Sequence, residues 1–206
     1  MPTVPGNTES DSSAIWTLQK LRQCSNSHGL CPPGKQPSTL PTRVLDLGIP
    51  KWPKDPSLVQ QYLTASIKLY QSRAGASSGD YICLSHCWGN TDLMLRTTSS
   101  NIQEHLTEIN YSSLPRTFQD AVVFTRKLRI RYLWIDSLCI IQDDKHDWFQ
   151  EASEMCQVFH KSYLTLCATI APDCNHGLFV NSSHDKSQKH RSIRLETTPV
   201  FRDPGR

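Results

Sequence analysis

LPRTFQDAVVFTRKLRIRYLWIDSLCIIQDDKHDWFQEASEMCQVFHKSYLTLCATIA, residues 114–171, is the stretch on which the fold turns. Thr117 stands as an N-cap, and Phe118, Ala121, Val122, Thr125 and Leu128 then recur at helical spacing, which predicts a helix over 117–128. Tyr132 to Ile141 is dense in β-branched and aromatic residues and reads as a central strand, paired over 132–138. His146 to Lys161 returns to a helical period, and Tyr163 to Ile170 is a further buried strand.

Working outward, Tyr81 to Ser85 is a short apolar run bounded by Gly79-Asp80 and Trp88-Gly89-Asn90, as suits a strand buried on both faces. Ser100 to Ile109 reads as a short helix with Ile102, Leu106 and Ile109 inward. Strands alternating with helices predict an open, mainly parallel, doubly wound α/β sheet with flanking helices. The strands at 81–85, 132–138 and 163–169 are expected side by side and parallel. Upstream, a helical pattern starts at Ser13, and Arg43–Leu47 and Ser66–Tyr70 could be short strands. Residues 1–12 read as a disordered tail, 13–79 as a helical and irregular extension, 80–180 as the core, and 181–206 as a polar tail of interrupted appearance.

The charge balance excludes some functions. With 22 basic and 19 acidic residues among 206, the net charge of +3 is too small and too dispersed to point to nucleic acid or a membrane surface. No apolar run is long enough to span a bilayer, and the start lacks the pattern of a secretory signal. Of eight cysteines, Cys83, Cys139, Cys156 and Cys167 sit inside apolar segments, which fits reduced thiols and a cytoplasmic location. Cys24, His28 and Cys31 have ligand-like spacing but lack a fourth ligand, so no metal is expected.

In open α/β sheets ligands bind beyond the carboxyl ends of the strands. That rule selects residues 85–89 after the first strand, Asp136 and Ser137 within the second, and residues 142–147 leading into the next helix; from these and the adjoining helix start, Ser85, Trp88, Gly89, Asp136, Asp147 and Trp148 are the substrate-binding candidates. On that helix Trp148, Phe149, Ala152, Met155, Cys156, Val158 and Phe159 share one arc, and Glu151 falls inside it. Glu154 points instead to the polar side with Gln150, Ser153 and Gln157. A carboxylate on an apolar arc needs a partner or a cleft, so Glu151 is the candidate catalytic acid. The alternative is a structural ion pair, for example with Arg126 or Arg131. Ser85 and His86 do not form a hydrolase pair, because adjacent strand residues point to opposite faces.

YICLSHCWG (81–89), the 114–171 stretch and GLF (177–179) resemble, in order and spacing, the successive blocks of the fungal heterokaryon incompatibility (HET) domain. LPTRVLDLG (40–48) resembles the segment that often precedes it. His86 stands where the family usually has Tyr, and Arg129 where it usually has Gly as a helix C-cap. The resemblance implies a role in non-self recognition and programmed cell death, with protein partners or self-association. HET domains are similar to Toll/interleukin-receptor (TIR) domains, so it also implies a TIR-like sheet. NAD becomes a possible substrate, with DWFQE (147–151) resembling the motif of the TIR catalytic glutamate. A non-catalytic, self-assembling module is the other reading.

Overall fold

The computed structural model describes residues 6–27, 38–48, 51–72, 77–89 and 94–180. Five strands form one open, mixed sheet in the order β2-β1-β4-β3-β5, where β1 is Arg43–Asp46, β2 Lys68–Gln71, β3 Tyr81–Ser85, β4 Tyr132–Trp134 and β5 Leu164–Cys167. The expected parallel trio is present, with β3 pairing both β4 and β5 in parallel. The sheet as a whole is not mainly parallel, because β1 runs antiparallel to both β2 and β4. Antiparallel neighbours need no crossover helix, so a segment lying before the first βα unit can extend the sheet this way. The segment read as an extension therefore supplies two strands of the same sheet.

Residues Tyr81 to Leu84 are at most 1 % exposed, as a strand flanked on both edges and covered on both faces requires. The helices are α1 (Asp11–Ser27), α2 (Val59–Leu63), α3 (Ile102–Thr107), α4 (Arg116–Lys127), α5 (Asp136–Cys139) and α6 (Lys145–Lys161). Helix α1 begins at Asp11, before the expected Ser13, and Thr8 exchanges hydrogen bonds with Val180, so residues 8–12 are held rather than loose. The short α3 is followed by Ile109, which bridges Ile67 beside β2. Helix α4 starts one residue early, with Pro115 as N-cap. Thr117 does not cap it: its hydroxyl accepts from Gly177 N at 3.1 Å.

Strand β4 stops at Trp134, well short of Ile141. Asp136 Oδ1 accepts from Ser137 N at 2.7 Å, and Ile135 O accepts from Leu138 N and Cys139 N, so the chain turns into α5. Leu138, Cys139 and Ile140 are at most 2 % exposed, so their apolar character reflects a buried turn and not a strand. Strand β5 likewise ends at Cys167 rather than Ile170, which is 55 % exposed.

Two arginines bind the parts together. Arg126, 1 % exposed, donates to the carbonyls of Leu47, Leu63, Ala65 and Ser66, tying α4 to the β1–β2 connection. A buried guanidinium stays affordable in free energy only when its fork is hydrogen-bonded. Arg131 pairs with Asp46 through two 2.8 Å bonds. Burial pushes the Asp46 carboxyl upward, yet Arg131 and the Gly48 N–H hold it below its ordinary range. Beyond α4, Leu128 closes the helix and Arg129 adopts φ 60°, the left-handed position where the sequence resemblance places a glycine.

Cys83, Cys87, Cys139, Cys156, Cys167 and Cys174 carry free thiols. Cys83 and Cys139 are buried as expected, and burial pushes the Cys83 thiol up to about 12. Cys156 and Cys167 are exposed, contrary to their apolar neighbourhood in sequence. Cys24 has intermediate burial, while His28 and Cys31 of the same motif lie outside the described residues.

Candidate functional site

The sequence candidates fall into two groups in space. The first lies beyond the carboxyl ends of β3 and β4, where α5 presents Asp136 at its first turn. Trp88 Nε1 donates to Asp136 Oδ2 at 2.9 Å, while Oδ1 takes the Ser137 N–H. His86 Nδ1 stands 3.8 Å from the same Oδ1, its side chain 1 % exposed and its ring edge-on to Phe118 at 4.9 Å. Burial lowers the His86 pKa, against the pull of Asp136, and neither ring nitrogen has a hydrogen-bond partner among the described residues. The imidazole is therefore a neutral, packed ring at neutral pH.

Trp88 is half-buried, because it stands past the end of β3 rather than in it. Ser85 is exposed as the last residue of that strand. Gly89 adopts φ +68°, and a Cβ there would lie 2.2 Å from Asp173 Cβ. Asp173 is itself fixed by bonds to Asn175 N and His176 Nδ1. The segment after β5 thus closes down on the Trp88-Gly89 loop, and only glycine fits the contact.

The second group lies where α6 crosses the start of β1. Asp144 caps α6 by accepting from His146 N and Asp147 N. Asp147 is gripped by Arg43 Nη2, at 2.6 Å to Oδ1, and also accepts from Ile141 N at 2.9 Å. Arg43 Nε donates to Cys139 O at 2.7 Å. One turn along α6, Glu151 is 4 % exposed, with Oε1 at 3.7 Å from Arg43 Nη2. Burial raises its pKa, while a hydrogen bond from Thr42 and the Arg43 charge oppose the rise. The partner is Arg43, not Arg126 or Arg131.

The expected apolar arc of α6 is only partly the buried face. Trp148 is 45 % and Phe149 68 % exposed, stacked edge-on at 5.4 Å, and Cys156 is exposed. The inward stripe is Asp147, Glu151, Met155, Val158 and Phe159, so a charged pair occupies the first two turns of it. Glu151 also borders a cavity of about 290 Å³ with Tyr81, Gln150, Glu154, Gln157 and Lys161. Glu154 is exposed, as expected of the polar side, yet it lines the same cavity as Glu151.

Among the described residues no hydrogen bond or ion pair joins Glu151 to Ser85, Trp88 or Asp136. Sequence reasoning missed Arg43 as the organiser of the second group. The available signal was a cation inside an otherwise apolar strand, opposite two acids that both need one. It also missed the bond from Leu178 N to Asp120 Oδ2, which with Thr117 and Gly177 docks the GLF block onto α4.

A family model described as heterokaryon incompatibility protein (HET) matches residues 81–201, more than half of the chain. The match covers β3 through β5, both groups except Thr42 and Arg43, and part of the chain outside the described residues. No curated protein and no solved structure matches the chain.

Proposed function

The chain belongs to the heterokaryon incompatibility family, and from that membership we propose a cytoplasmic fungal module of non-self recognition and cell death that acts through protein contacts or self-association. The supporting observation is that the carboxylate at the strand ends is already occupied by neighbouring protein groups. Asp136 is occupied by Trp88 and Ser137, while the candidate acid Glu151 sits beside Arg43, apart from them. Buried thiols such as Cys83 and Cys139 fit a reducing compartment. No helix among the described residues is long and apolar enough to cross a membrane. The doubly wound, TIR-like reading of the sheet is supported by Tyr81 and Cys83, alternate residues of β3 that both reach Val158 O of α6, while His86 meets Phe118 of α4.

A second reading draws on the cavity bordered by Glu151. An acid with raised pKa beside open space could position the ribose of NAD and stabilise an oxocarbenium-like state as nicotinamide leaves. Here Glu151 is the catalytic residue, and Ser85, Trp88, Gly89, Asp136, Asp147 and Trp148 hold substrate only if the two groups are brought together.

Expression of the full chain in fungal cells, combined with an assay of nicotinamide release by purified protein, separates the readings. The first expects death without NAD turnover, and equal killing by a folded Glu151→Gln variant. Nicotinamide release that disappears in Glu151→Gln, with an unchanged melting curve, would overturn it in favour of the second.

A further inference from the structure

Away from both groups, α1 and the C-terminal end of α4 border an open cleft of about 610 Å³, within the size range of small-ligand sites. Ile15 and Leu18 of α1 form one wall and Trp52 another, with Asp11, Arg22, Lys127 and Arg129 at its border. The cations differ in their state. Lys127 is neutralised, at 2.8 Å from Asp11 and donating to Glu9 O at 2.9 Å. Arg22 and Arg129 make no ion pair with any acid among the described residues. Ile15, 56 % exposed, leaves an apolar side chain open to the same space.

Arg129 adds an independent observation. It is the one non-glycine residue with positive φ among the described residues, at 60°. Glycine would close the helix there without a Cβ penalty, so a long cationic side chain in this position carries backbone strain. Strain of that kind persists where the side chain has a task, and this side chain borders the cavity. An apolar chamber edged by two uncompensated guanidinium groups is complementary to a molecule with an apolar body and one anionic head.

We propose that this cavity is a binding site for a small amphipathic anion, whose apolar body packs on Ile15, Leu18 and Trp52 and whose carboxylate or phosphate head is held by Arg22 and Arg129. The site is separate from the Arg43–Glu151 and Asp136 groups, so it stands or falls independently of the proposed function. Bound there, a ligand would bridge α1 to the end of α4 and reinforce the docking of the N-terminal helix on the sheet domain.

The test uses the full chain titrated with anilinonaphthalene sulfonate, an aromatic anion that fluoresces when it leaves water, and with neutral phenylnaphthylamine. The expected result is saturable one-to-one binding of the anion, weakened roughly tenfold in both Arg22→Gln and Arg129→Gly, with the neutral probe indifferent to either change. Arg129→Gly relieves the strained backbone, so its fold is not at risk, and a melting curve confirms it. Displacement by decanoate identifies a carboxylate site and displacement by decyl phosphate a phosphate site. The proposal is overturned if the anion binds parent and variants alike, if its binding does not saturate, or if neither competitor displaces it.

Discussion

Replacing Arg43 by Gln should unfold the protein far more readily than replacing Glu151 by Gln, although the two side chains touch. Arg43 is 4 % exposed and serves three acceptors, the Asp147 carboxylate, Cys139 O and, at 3.7 Å, Glu151. Its loss leaves two carboxylates uncompensated under α6, a change that typically costs about 3–5 kcal/mol. For a chain of this size that corresponds to a fall in Tm of roughly 10 °C.

Glu151→Gln instead removes a charge that burial already disfavours, and leaves Arg43 on Asp147 and Cys139 O. Its effect at neutral pH should stay within about 1 kcal/mol. Because the folded carboxyl has a pKa raised above its ordinary 4.5, the folded state binds more protons, and parent stability falls as pH rises through that window. The Gln variant lacks this loss, so its stability relative to the parent should improve from acid towards neutral pH. Urea unfolding followed by tryptophan fluorescence between acid and neutral pH measures both effects. A costly Glu151→Gln beside a harmless Arg43→Gln would refute the assignment of Arg43 as the organising residue.

Other perturbations give distinct outcomes. Trp134→Ala, at a site 1 % exposed with a ring contact to Phe159, should cost about 3–5 kcal/mol in a thermal melt, and Trp88→Ala clearly less because Trp88 is half-buried. Arg129→Gly should stabilise by about 0.5–1 kcal/mol, the relief of a left-handed residue partly offset by greater freedom of the unfolded chain, and calorimetry would register the raised Tm. Gly177→Ala, whose Cβ would lie 2.9 Å from Asp120 Oδ2 at φ +87°, should loosen residues 177–180 from α4, read as faster amide exchange at Leu178. His86 and His105 both have pKa values lowered by burial, so the unfolded state takes up their protons first and stability should drop as pH falls below 6.5. Titration of the urea midpoint in parent and His86→Tyr would show whether His86 carries its share.

Local sequence made legible the three parallel strands, the two long helices of the 114–171 stretch, the helix close at Arg129 and the burial of Glu151. These are local matters: periodicity fixes which face is apolar, and a helix end needs a residue tolerant of positive φ. Long-range packing set the stop of β4 at Trp134, the antiparallel joining of β1 and β2 to the sheet, and the pairing of Glu151 with Arg43. An apolar run looks the same whether it is a buried strand or a buried turn; here Asp136 turns the chain by taking the Ser137 N–H on Oδ1 while Trp88, from another strand end, holds Oδ2. Arg43 and Asp147 are 104 positions apart, and nothing in either local pattern selects the other. Their meeting follows from the register of β1 on β4 and the path of α6, because a buried charge pairs with whichever counter-charge the fold carries to it.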